Sequence, residues 1–66
     1  MKNLIKVERA KKDLTQAELA DKIGVSRQAI NSIESSKFIP STVLALKMSK
    51  VFGTAVENIF QLEKTD

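Results

Sequence analysis

The sequence predicts an all-α bundle of five short helices, and three observations carry that prediction. Apolar residues recur at helical spacing, and little in the chain alternates as a long strand would. Gly24, Pro40 and Gly53 are the only glycines and proline, and they cut the chain into helix-length pieces. Thr15, Ser26 and Ser41, all good capping residues, stand where new pieces would start.

The first helix is expected from about Asn3 or Leu4 to Lys12, with Leu4, Ile5 and the Arg9 stem facing inward. The second starts at Thr15, where Thr-Gln-Ala-Glu reads as a capping box between Thr15 and Glu18. Leu19, Ala20 and Ile23 give it an apolar face, and Gly24 ends it in the left-handed conformation. Ser26 caps the third helix, residues 27 to 34. Pro40 and Ser41 open the fourth, which runs to about Phe52 and stops at Gly53. A short fifth helix holds Val56, Ile59 and Phe60. The tail from Phe60 to Lys64 alternates and could add one short edge strand. So few residues join the second and third helices that they should cross steeply, which defines a helix-turn-helix.

A chain of 66 residues makes one small domain, read as residues 1–66 with the helix-turn-helix at about 15–34. There is no His and no Cys, hence no metal-ligand set, no disulfide and no catalytic thiol or imidazole. No glycine-rich phosphate loop is present either, so no cofactor is expected and an enzyme is disfavoured. No apolar run is long enough to span a membrane, and the N-terminus lacks the apolar block of a signal peptide. The expected setting is the cytoplasm. Net charge is +3, concentrated at the start: residues 1 to 12 carry five cations against Glu8 alone. Such a balance points to a polyanionic partner.

The third helix carries the strongest functional signal. At about 100° per residue, Ala29, Ile30 and Ile33 fall on one side. Gln28, Asn31, Ser32 and Ser35 fall nearly opposite, with Arg27 on the flank. Asn and Ser are mediocre helix formers, and Ala, Glu or Lys would hold a merely solvated face better by a few tenths of a kcal/mol. Amides, hydroxyls and an Arg are, however, the groups that read base edges in a major groove. An acid on that face would repel phosphates, and none is there.

Residues 14 to 41, LTQAELADKIGVSRQAINSIESSKFIPS, resemble the phage-repressor-like helix-turn-helix family, also called Cro or XRE. The shared pattern is L-T-Q-x-E-L-A, a G-V-S turn, R-Q-x-I, then I-E and P-S. It extends weakly through LALKMSKVFG and ENIFQLE. The resemblance implies a lambda-repressor-like fold and a small bacterial or phage transcriptional regulator whose partner is double-stranded DNA. It places Gln16 on a phosphate at the start of the second helix, and Arg27, Gln28 and Ser32 on bases or nearby phosphates. Asn31 is geometrically eligible. Ser26 would cap and touch phosphate, and Ser35 and Lys37 would approach the backbone. Arg9 and Glu34 match a family pair that ties the first helix to the third. Four positions depart from the family pattern. Asp13 and Ser36 stand where Gly is common, and Glu8 where Leu is common. Ala55 replaces a Ser cap, for which Thr54 with Glu57 offers an alternative one residue earlier.

The fourth helix is too apolar for one buried face: Val43, Leu44, Ala45, Leu46, Met48, Val51 and Phe52 spread over much of its circumference. Ile39, Phe60 and Leu62 add to this surplus. A two-fold homodimer through residues 39–66 would cover it, with Ile39, Val43, Leu46, Val51, Phe60 and Leu62 at the interface. Two third helices would then lie about 34 Å apart on an inverted-repeat operator. The simplest action of such a dimer is repression. The alternative, from another class, is an antitoxin or adaptor that uses the same fold to hold an unidentified protein partner. Loss of that partner on changing Phe38 or Ile39, instead of Gln28, would favour it.

Overall fold

The computed structural model describes residues 1–66. Its elements in order are β1 (Lys2–Asn3), α1 (Ile5–Lys11), α2 (Gln16–Ile23), α3 (Arg27–Glu34), α4 (Thr42–Phe52), α5 (Val56–Ile59) and β2 (Phe60–Gln61). This is the expected five-helix architecture, with short strands at both ends.

Local chemistry sets the starts of the three central helices. The Thr15 hydroxyl accepts from the Glu18 N–H at 3.0 Å, and Glu18 Oε1 accepts from the Thr15 N–H at 3.0 Å, completing the capping box. Ser26 Oγ accepts from the Ala29 N–H and Ser41 Oγ from the Leu44 N–H. At the other ends, Gly24 and Gly53 take φ of 75° and 66°. The remaining left-handed residues are Asp13 (φ 57°) and Ser36 (φ 63°). They end α1 and α3 by one device. The Asp13 and Leu14 N–H groups return to the carbonyls of Ala10 and Arg9, and those of Ser36 and Lys37 return to Ile33 and Ser32. That Schellman pattern requires a left-handed residue at its turn, which is why Gly is the usual occupant of both positions.

The last helix differs from expectation. Its N-cap is Ala55, without a side-chain hydrogen bond. The Thr54–Glu57 capping box does not form: Thr54 Oγ1 accepts from Asn58 Nδ2 at 2.9 Å, and the Thr54 carbonyl accepts from Ser49 Oγ. Phe60 is extended (φ −120°, ψ 134°) and not helical. The Leu4 N–H donates to the Ile59 carbonyl at 2.7 Å, which draws the chain ends together. Lys2 then pairs with Gln61 and Asn3 with Phe60, antiparallel. Leaving the helix at Ile59 lets both Ile59 and Phe60 point inward.

Every helix contributes to one core of Ile5, Leu19, Ala20, Ile23, Ile30, Ile33, Met48, Phe52, Ile59 and Phe60. Full burial stabilises each large member by about 1.5–3 kcal/mol. The one charged residue in the buried set is Glu8, 8% exposed, whose Oε2 meets Lys11 Nζ at 3.0 Å. An acid at this position must reach solvent or find a cation; it finds one a turn along its own helix. No helix is long and apolar enough to cross a membrane.

Candidate nucleic-acid interface

Three residues, Gly24, Val25 and Ser26, separate α2 from α3. Gly24 turns the chain, the Val25 N–H closes on the Ala20 carbonyl at 3.0 Å, and Ser26 caps the next helix. Ile30 and Ile33 anchor α3 in the core beside Leu19, Ala20 and Ile23 of α2. Arg27, Gln28, Asn31 and Ser35 are left exposed, while Ser32 and Ala29 are half-buried. Ser26, Gln28, Ala29, Ser32, Lys37 and Phe38 line a shallow groove along this side. Ser35 Oγ donates to the Ser32 carbonyl at 3.2 Å, so its hydroxyl hydrogen is occupied while its oxygen can still accept. Lys37 is exposed just past the turn at Ser36.

The inner flank of α3 is held by an ion pair. Arg9 Nε donates to Glu34 Oε2 at 2.7 Å and Nη2 to Oε1 at 3.1 Å, a two-pronged contact between largely buried side chains. Arg9 Nη1 also donates to the Leu14 carbonyl at 2.9 Å, tying in the loop before α2. Glu34 holds the Arg9 guanidinium still more firmly protonated than usual, against the opposing effect of burial. Glu34, the one acid of α3, is thereby paired with a cation. Elsewhere, the Thr15 N–H and hydroxyl hold the Glu18 carboxyl below its ordinary range.

Gln16 is half-buried at the first position of α2. Its Nε2 donates to Glu34 Oε1 at 3.3 Å and lies 3.5 Å from Asn31 Oδ1. The side chain expected on a phosphate instead turns its NH2 toward α3 and bridges the two helices. Asn3 does comparable work that sequence reasoning did not find. Its Nδ2 donates to the carbonyls of Ile33 (3.0 Å) and Glu34 (3.4 Å), and its Oδ1 accepts from the Ile5 N–H (3.3 Å). One amide therefore caps the end of α3 and the start of α1. A lone Asn near a chain end carries no signal for a partner 30 residues away.

A second exposed surface is apolar. Ile39, Val43, Leu46 and Leu62 are 66%, 60%, 56% and 83% exposed. Val51, expected beside them, is half-buried in a separate groove with Lys12, Leu14 and Lys22, and Phe60 belongs to the core. Phe60 still forms part of a groove with Met1, Ile39, Pro40, Ala45 and Leu46. No cluster of side chains that could hold a metal ion is present.

Residues 5–59 match the helix-turn-helix family HTH_3. The chain is 52% identical over 63 residues to an HTH-type transcriptional regulator of Methanocaldococcus jannaschii, covering 96% of each chain. It is 41% identical over 64 residues to the HTH-type transcriptional regulator YgzD of Bacillus subtilis, covering 97% of each. Among solved structures it superposes on the P22 c2 repressor protein, crystallised with a synthetic operator, with a TM-score of 0.81. The sequences there are 30% identical, and 86% of each chain is covered.

Proposed function

Because the chain belongs to this helix-turn-helix family, we propose that it is a sequence-specific regulator of transcription that inserts α3 into the major groove of double-stranded DNA. The observation that carries this reading is the exposed face of α3: Arg27, Gln28, Asn31 and Ser35, with half-buried Ser32, and no acid among them. Each can donate or accept at base edges, and a backbone rich in phosphate can approach without repulsion. Ser26 and Lys37 flank the helix as phosphate-contacting groups, and Gln16 offers a phosphate its backbone N–H at the first position of α2. The structural likeness to a repressor seen with operator DNA and the naming of the relatives as transcriptional regulators support the same reading.

The regulator acts as a homodimer. Its interface is the apolar surface of α4 and the tail, with Ile39, Val43, Leu46 and Leu62 exposed on it and Phe60 lining the adjoining groove. It works in the cytoplasm, by occupying an inverted-repeat operator over a promoter, which makes it a repressor.

Selection of bound DNA from a random pool tests the whole. A palindromic consensus with half-sites one helical turn apart is expected. Affinity should fall with salt at a log–log slope of about −0.9 per phosphate neutralised. Sedimentation at micromolar concentration should show a dimer, and a monomer there would overturn the interface. The exposed Phe38, 54% accessible beside the α3 groove, is the feature an adaptor would use. If Phe38→Ala abolished function while leaving DNA binding intact, the adaptor reading would take its place.

A further inference from the structure

The contacts behind α3 form a chain of hydrogen bonds with a fixed direction, and the direction bears on what the helix reads. Arg9 can only donate and the Glu34 carboxylate can only accept. Glu34 Oε1, already held by Arg9 at 3.1 Å, also faces the Gln16 side-chain amide at 3.3 Å. Gln16 must therefore turn its NH2 toward Glu34, because the reverse orientation would set the amide oxygen against a carboxylate. The same NH2 lies 3.5 Å from the side-chain amide of Asn31. Asn31 must answer with Oδ1, because its own NH2 would oppose another donor. Its Nδ2 makes no contact within the protein and belongs to a residue exposed on the outer face of α3.

We infer that Glu34 and Gln16 fix the Asn31 amide with its NH2 outward, making Asn31 a donor-only reader that selects guanine in the half-site. An Asn free to rotate pairs with adenine, accepting from N6 while donating to N7. With Oδ1 turned inward, that pairing loses its acceptor. Guanine instead presents two adjacent acceptors, O6 and N7, to a lone NH2 group. Asn31 is then a specificity residue, and Gln16 and Glu34 are positioning residues that touch no base. The inference rests on the DNA-reading role proposed above.

The experiment is selection from a random DNA pool with the full chain, in four forms: unaltered, Asn31→Ala, Gln16→Ala and Gln16→Lys. Folding of each is checked by circular dichroism; Asn31 is exposed and Gln16 half-buried. Asn31→Ala should relax a single half-site position, which identifies the base pair Asn31 meets. In the unaltered chain that pair should be G·C, preferred over A·T by roughly five- to a hundredfold. Gln16→Ala frees the amide to rotate, and guanine and adenine should then come within about twofold of each other at that position, other positions keeping their order. Gln16→Lys restores a donor-only neighbour and should restore the guanine preference. A purely structural role for Gln16 would lower affinity on all sequences and leave this ratio unmoved, which would overturn the positioning role. An A·T pair at the Asn31 position, or an equal loss on all DNA after Asn31→Ala, would overturn the donor-only reading. If the unaltered chain enriched no sequence, the DNA-reading role itself would fall.

Discussion

α3 and α4 each place two side chains fully in the core, Ile30 and Ile33 from one, Met48 and Phe52 from the other. What they leave outside differs. α3 exposes Arg27, Gln28 and Asn31, whereas α4 exposes Val43 and Leu46 alongside Lys47 and Lys50. Burial thus attaches both helices alike, and the surface left over is where they differ. A polar face free of acid suits a hydrated polyanion. An apolar face suits another protein surface, because burying it there removes it from water.

The largest effect that could break this contrast comes from truncating the same kind of side chain on the two helices. Ile30→Ala, at a site with no exposure, should cost about 2–5 kcal/mol in urea or thermal unfolding, a large share of what so small a domain has. Leu46→Ala, at a site more than half exposed, should cost the monomer under about 0.5 kcal/mol yet weaken dimerisation in sedimentation. Equal losses in the two would mean that the monomer's core depends on this part of α4 as heavily as it does on α3.

The outer face of α3 should respond oppositely. Arg27→Ala or Gln28→Ala should leave unfolding midpoints unchanged and weaken operator binding by about 1–3 kcal/mol, less on random DNA. Equal loss on both DNAs would reduce these residues to phosphate contacts.

Behind that face, Arg9→Ala leaves the Glu34 carboxylate largely buried without its cation. A cost of about 1–3 kcal/mol in denaturant unfolding is expected, with a greater loss than for Lys11→Ala, whose ammonium is mostly in water.

At the start of α2, Thr15→Ala should cost about 1 kcal/mol. The Glu18 carboxyl is lowered in the folded state, so its contribution is full above its unfolded pKa and disappears as pH falls through the lower folded value. Glu18→Gln should flatten that part of the acid limb in a pH series of melting temperatures. An unchanged limb would place the acid sensitivity elsewhere.

The smallest effect expected is a gain. Ser36 sits at φ 63°, where a side chain is strained, so Ser36→Gly should stabilise by about 0.5 kcal/mol after the added flexibility of the unfolded chain is subtracted.

Where features are local, the order of residues was enough. The caps at Thr15, Ser26 and Ser41 and the stops at Gly24 and Gly53 each depend on groups within a few positions, so helix boundaries could be read almost to the residue. The polar face of α3 was legible for the same reason, since helical periodicity alone sorts its residues. Asp13 and Ser36 stood out only against the family pattern, and their left-handed geometry explains the departure.

The long-range features had to wait for packing. Strands of two residues have no periodicity, so nothing in Lys2–Asn3 announces a partner at Phe60–Gln61. The bridge of Asn3 to the end of α3, and the line from Arg9 through Glu34 and Gln16 to Asn31, join residues that lie far apart along the chain. The linear order of residues dictates which helices form and which face of α3 stays polar, because propensity and capping act over a single turn. Packing dictates which way the groups on that face point, because a hydrogen bond has a direction only once its partner is in place.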